Sequence, residues 1–246
     1  MNAKQADALG VQVAALAQAG QADQAYALLS PILARRTPFR LLDRIGQAVG
    51  AGRLAQANVL LERIAANGTE GGWVVIGSAL GQQLDRDLGG TLARCRAFTI
   101  VGSVWYATDI LGERVPGPAL LSSFEPTLVQ LSPWREDADR WVRRSVGVAV
   151  HFWAKRSQGM AKLAVQAEAL LEFLGSMFGE WDMDAAKGVG WGLKTLGKYY
   201  PDLVSGWLEE QVFQQNRRHR ALMLRKALTY LPEEKRARLT GVPDRG

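Results

Sequence analysis

The sequence predicts an all-α fold of short helices packed as repeated pairs. Three observations carry that expectation. Ala, Leu, Gln, Arg and Glu are abundant, apolar residues recur at three- and four-residue spacing nearly throughout, and no stretch alternates strictly every second residue. The breaks fall where Gly and Pro interrupt a helical backbone. A helix over 3–18 ends at Gly20, one over 22–35 contains Pro31, and one over 40–50 ends at the GAG of 50–52. The next, over 54–66, ends in the NGTEGG of 67–72 and is followed by helices over 71–84 and 88–113. PGP at 116–118 opens a helix over 117–131, and Pro133 precedes one over 135–156. Helices over 159–177, 183–200, 201–213 and 217–231 complete the series, the last two separated from their neighbours by Pro201 and followed by Pro232. No strand, low-complexity tract or long linker is expected, so the 246 residues read as one helical-repeat domain.

Composition excludes several classes of function. Cys95 is the single cysteine and His151 and His219 are the only histidines, so neither a disulfide framework nor a metal site with Cys/His spacing is expected, and no cofactor is implied. A reducing cytoplasm fits that usage. No apolar run reaches the roughly 18 residues of a membrane span and the first thirty residues carry no signal-peptide pattern, so no membrane partner is expected. The net charge of +6 is uneven: from Arg135 onward stand 19 Lys/Arg against 14 Asp/Glu, while the first half is nearly neutral. A basic half-chain points to an anionic partner, with nucleic acid ahead of a membrane because no strongly apolar amphipathic face accompanies the charge.

Many short helices joined by tight turns suggest a solenoid, and two segments are internally similar. Val142, Val146, Ala149 and Trp153 share one face of a helix, and Val189, Leu193, Leu196 and Tyr200 repeat that spacing 47 residues later. A period in the forties is that of HEAT-type helix pairs. About 200° around each helix runs a second stripe: Arg140, Arg144, Gly147 and His151 in the first, Lys187, Trp191, Lys194 and Lys198 in the second. The expectation is a HEAT-like solenoid, an α-α superhelix, whose stacked helices pack with one side and present cations on a concave basic face with the other. A solvated polar face is the plain alternative. The absence of acids between Lys187 and Lys198, and the indole of Trp191 among the cations, favour phosphate contacts and base stacking.

Three blocks resemble the AlkD-like DNA alkylation repair family, alkylpurine DNA glycosylases built from HEAT-like repeats: VWYATD (104–109), DADRWVRRSVGVAV (137–150) and AAKGVGWGLKTLGKYYPDLVSGWL (185–208). The trailing RRHRALMLRKALTYL (217–231) is similar to the family's closing basic helix. On this resemblance residues 96–231 are the family-like repeats, 1–95 divergent N-terminal helices and 232–246 a tail. The resemblance implies a catalytic set of Trp105, Asp109 and Trp191, and a DNA-backbone contact at Arg144. Arg140, Arg143, His151, Lys187, Lys194, Lys198, Arg217 and Arg218 join Arg144 as candidate DNA-binding residues. It further implies a monomer acting in the cytosol, at the nucleoid, on double-stranded DNA that carries alkylated bases, with no base flipped into a deep pocket. Departures are Tyr106, where family members often carry an acid, and Lys194 and Thr195, where they often carry arginine and glutamate.

The residue types suit that chemistry. An N3- or N7-alkylated purine is already cationic and leaves its sugar without being protonated, so the catalytic need is to stabilise an oxocarbenium-like sugar and supply water. One carboxylate, Asp109, with the electron-rich faces of Trp105 and Trp191 can meet it, and Arg144 offers a bidentate phosphate contact. Taken alone, Asp109 could equally pair with Arg114 or Arg144, and Trp105 could be a core residue. Trp73, Trp134, Trp141, Trp153, Trp181 and Trp207 read as packing residues, and Cys95 as a small buried hydrophobe. A non-catalytic binder of duplex or branched DNA and a protein-binding helical scaffold remain as alternatives.

Overall fold

A computed structural model describes residues 1–211 and 219–240, and every regular element in them is helical. The chain divides into two compact units, Met1–Ala119 and Leu120–Gly246. Among the described residues no helix is long and apolar enough to cross a membrane.

The first unit contains α1 (Ala3–Gln18), α2 (Ala22–Leu33), α3 (Phe39–Gly50), α4 (Leu54–Ala65), α5 (Glu70–Gly81), α6 (Leu88–Gly102) and α7 (Trp105–Arg114). Helices α1, α3, α5 and α7 stack in order as one layer, and α2, α4 and α6 form the layer behind them. The starts are set by side-chain caps. Asn2 and Gln5 form a reciprocal capping box on α1, Thr69 caps α5 and Asp87 caps α6, each satisfying a backbone N–H that a helix end leaves without a partner. Glycine lets α3 approach α5 closely: a Cβ on Gly46 would stand 2.8 Å from the Cβ of Ser78, and one on Gly50 would run into the carbonyl of Ala79. Polar links run between the stacked helices. Arg44 forms two 2.6 Å hydrogen bonds with Asp7, and Asp43 accepts from Ser78 at 2.6 Å and from Arg114 at 2.8 Å.

Helix α8 (Pro116–Ser122) leads into the second unit, which continues with α9 (Phe124–Leu131), α10 (Arg140–Ser157), α11 (Ala164–Gly175), α12 (Met183–Tyr199), α13 (Pro201–Gln211), α14 (Arg220–Ala227) and α15 (Glu233–Thr240). Helices α10, α12 and α14 stack as one layer, and α11, α13 and α15 form the other. The apolar stripe Val142, Val146, Ala149 and Trp153 is fully buried, as are Val189, Leu193 and Leu196. Burial of each larger side chain stabilises by about 1.5–3 kcal/mol relative to exposure.

The repeat offset differs from the 47 residues of the apolar pattern. Asp139 and Asp182 both cap, each accepting two backbone N–H bonds at 2.8 and 3.2 Å, and they stand 43 residues apart. Four residues is close to one helical turn, so the match found the right faces one turn out of register. Other differences are local. The helix expected over 88–113 is two helices, because Ser103 takes a left-handed conformation (φ 44°) and Val104 is extended. The one expected over 117–131 breaks at Ser123, and the tail beyond Pro232 contains α15.

Candidate functional site

Helix α7 begins at Trp105, directly after the left-handed Ser103 and the extended Val104. That turn places the indole at a helix end, where it is 57% exposed, and a T-shaped contact with Tyr106 orients it at a centroid distance of 5.8 Å. Trp105 is therefore no core residue. Asp109 lies one turn further on the same face and is half-buried. Arg114, one of the two partners open to Asp109 from the sequence, gives its Nε and Nη2 to Asp43 instead. An exposed indole with a half-buried carboxylate one turn away is a surface that can meet a cationic, partly apolar group.

In the second unit the second stripe of α10 faces solvent only at Arg140. Arg144 and His151 are buried, because this side of α10 packs on α12, and the adjacent Arg143 is buried as well. Glycine makes that possible: a Cβ on Gly147 would fall within the backbone of Gly188, and one on Gly192 would stand 2.8 Å from the Gly147 carbonyl. The expectation that Arg144 and His151 lie on an outward polar face is thus corrected. Arg144 donates from Nη1 to the carbonyl of Asp184 at 3.0 Å, reaching across to the first turn of α12. His151 stacks on Trp191, with centroids 3.8 Å apart and planes inclined by 21°, and its Nδ1 lies 2.7 Å from the hydroxyl of Thr195.

Arg143 is held hardest. It donates to both carboxylate oxygens of Glu180 and to the carbonyls of Asp137 and Ala138. Its guanidinium also lies 5.1 Å from the Trp181 ring. A guanidinium has five N–H donors, and four are accounted for here. Arg143 is a strut between the starts of α10 and α12, which leaves it few donors for the DNA contact expected from the sequence.

The outer cations of this unit are more available. Arg140 is exposed, with Asp182 at 3.8 Å, and Lys187 is exposed, with Asp184 at 3.5 Å. Lys194 and Lys198 lie 5.0 and 5.6 Å from the ring of Tyr230, itself 51% exposed. Tyr230 and Thr195 join the neighbourhood of Trp191 and its lysines without having been expected there. Trp181, expected as packing, is 64% exposed, whereas Trp73, Trp134, Trp141, Trp153 and Trp207 are buried. Its carbonyl accepts from Nε2 of His219 at 2.9 Å. Arg217 and Arg218 lie outside the described residues. Among the described residues no group of His, Cys, Asp and Glu could hold a metal ion.

The sequence profile of the DNA alkylation repair enzymes matches residues 73–231, well over half of the chain. The chain belongs to this family. The match starts at Trp73, earlier than the family-like repeats read from the sequence, and so takes in α5 and α6 as well as both regions described above. No curated protein matches the chain by sequence. Among solved structures, the Pseudomonas fluorescens alkylpurine DNA glycosylase AlkC, bound to DNA containing an abasic site analog, has the same fold, with a TM-score of 0.56. The likeness covers 92% of this chain at 18% identity, and this chain spans 62% of the length of that one. For this family member the fold is therefore the helical-repeat fold of a DNA alkylation repair enzyme.

Proposed function

We propose that the protein is a DNA glycosylase that hydrolyses the N-glycosidic bond of cationic N3- and N7-alkylated purines in duplex DNA. The observation that carries this reading is on α7: a tryptophan more than half exposed at the helix start, with a carboxylate one turn behind it on the same face. Membership of a DNA alkylation repair family supports alkylated DNA as the substrate. In the proposed reaction the bond between C1′ and the purine nitrogen breaks, and the electron pair stays with the base, which departs neutral. The sugar is left with oxocarbenium character, water adds to C1′, and one proton is released. Asp109 would stabilise the developing positive charge and orient that water, and the indoles of Trp105 and Trp191 would offer electron-rich faces to cationic groups. Because the leaving base is already charged, no general acid is required. Lys187, Lys194, Lys198 and Arg140 are assigned to backbone phosphates, and Arg144 to a phosphate near the lesion. We further propose that the protein acts as a monomer, without turning the base into a deep pocket.

The test is release of 7-methylguanine or 3-methyladenine from methylated duplex DNA. Asp109→Asn is expected to slow release about 100- to 1,000-fold, the usual cost of losing one preorganised charge partner of a transition state. Release at the parent rate would remove Asp109 from the chemistry. The burial of Arg144 favours a second reading, a non-catalytic binder of duplex or branched DNA, since a guanidinium engaged with the Asp184 carbonyl has fewer donors for a phosphate. Binding of methylated or branched duplex with no base released would establish that reading.

A further inference from the structure

We propose that His151 and Thr195 are positioning residues that hold the indole of Trp191 in one orientation, as a fixed aromatic wall. The inference rests on the reading of Trp191 as a face for a cationic sugar or base. Three contacts carry it. The hydroxyl of Thr195 donates to the carbonyl of Trp191 at 3.1 Å. We assign the one hydroxyl proton to the Trp191 carbonyl, so that at the 2.7 Å contact with Nδ1 of His151 the imidazole N–H donates and Thr195 accepts. This sets the tautomer of His151 and fixes the rotation of its ring. The ring so held lies on the indole of Trp191 at 3.8 Å.

Sequence and packing explain why the contact can form. His151 is on α10 and Trp191 and Thr195 are on α12, and two side chains on neighbouring helices stack this closely only where the backbones come near. Gly147 and Gly188 give that approach. His151 and Thr195 are both buried, which protects the hydrogen bond from water, while Trp191 is only half-buried and keeps part of its surface open. Thr195 supplies the hydroxyl on which the network turns. A ring that pivots would lose its alignment with a reacting group, and misplacements of about 1 Å can cost 100-fold in rate.

The tautomer can be read directly, because the chain has only two histidines. In ¹⁵N-histidine NMR of the full-length protein, His151 is expected as the Nδ1–H form. His219 gives the contrast, since its Nε2 faces a carbonyl and must donate. Thr195→Val removes the acceptor and is expected to abolish the Nδ1–H preference of His151. In protein labelled with 5-fluorotryptophan, with the resonance assigned by its loss in Trp191→Phe, Thr195→Val and His151→Ala should shift or broaden the Trp191 line. His151→Phe keeps a flat ring and should restore a narrow one. In base release, Thr195→Val and His151→Ala should lower kcat about 10- to 100-fold with KM little changed, and His151→Phe should recover most of the loss.

An Nε2–H tautomer in the parent, or a Trp191 resonance indifferent to both substitutions, overturns the positioning role. So does base release at the parent rate by both variants. If the parent releases no base at all, the glycosylase reading fails on its own, and the two NMR measurements still decide whether His151 and Thr195 hold Trp191.

Discussion

The guanidinium of Arg143 and the carboxylate of Glu180 face each other through two hydrogen bonds, of 2.8 and 3.2 Å, with both side chains almost completely buried. Glu180 also accepts the backbone N–H groups of Trp181 and Asp182, and Arg143 also binds the carbonyls of Asp137 and Ala138. The pair therefore ties together the two segments that lead into α10 and α12. Removing one partner strands a buried charge, which costs about 3–5 kcal/mol. Arg143→Ala is expected to lower the thermal midpoint by roughly 10 °C. The double variant Arg143→Met, Glu180→Gln leaves no charge and keeps an acceptor for the two backbone groups, so it should recover most of that loss. Thermal unfolding followed by circular dichroism checks both. A destabilisation no smaller in the double variant would show that the pair is not the source.

The seam between α10 and α12 should tolerate no added methyl group. A Cβ at Gly147 meets the backbone of Gly188, and one at Gly188 stands 2.5 Å from the carbonyl of Arg144 and 3.0 Å from its Cα. Backbone cannot rotate aside as a side chain can, so the helices must separate. Gly147→Ala and Gly188→Ala are each expected to cost at least about 1–3 kcal/mol, the usual range for overpacking. The gain in helix propensity, about 1 kcal/mol, is too small to offset it. Gly206, with nothing within 4 Å of its Cβ position, is the control, and Gly206→Ala should be neutral or stabilising. Chemical denaturation of the three variants measures the contrast.

The same seam shows what the sequence revealed and what it did not. Helix periodicity and Gly/Pro breaks located most elements, because those signals act within a few residues. The fate of Arg144 and His151 was not legible, since counting turns treats a helix as an isolated cylinder with one buried side. Gly147 carried the missing information: a glycine in the middle of a polar stripe marks close approach by another backbone, and Gly188 and Gly192 answer it on α12. The break after Gly102 has no signal in the sequence for a different reason, since Ser103 adopts a left-handed conformation that its residue type does not announce. Trp105 and Asp109 were legible as a pair because i, i+4 spacing fixes a common face. The exposure of Trp105 follows from that unannounced break.

The exposed cations should differ from Arg143 in how their loss is felt. Lys187 is exposed and its ion pair with Asp184 is partly exposed at 3.5 Å, so it contributes little to stability. If it contacts a phosphate, Lys187→Ala should weaken binding equally for all duplex sequences and reduce the slope of log K against log salt by about 1. Its melting temperature should not change. Fluorescence anisotropy across a salt series checks this, and an unchanged slope would place Lys187 off the DNA.

Cys95 gives a readout of folding that is independent of activity. It is fully buried in α6, and burial pushes its thiol up from 9.0 to about 12, a hydrogen bond from Thr99 opposing the shift in part. Below pH 9 the thiol is protonated in both folded and unfolded chains and makes no difference between them. Above pH 9 the unfolded chain ionises first and binds fewer protons than the folded one. The stability tied to this group therefore falls as pH rises towards 12, by about 1.4 kcal/mol per pH unit. Other groups titrate in the same range, so the informative quantity is the difference between the parent and Cys95→Ala. The parent's advantage from filling the site should be constant below pH 9 and shrink above it. With one cysteine in the chain, a thiol reagent applied at pH 8 should react with the folded protein only at the rate of its opening. Prompt labelling of the native protein would show that the thiol is accessible and that the pH dependence must come from elsewhere.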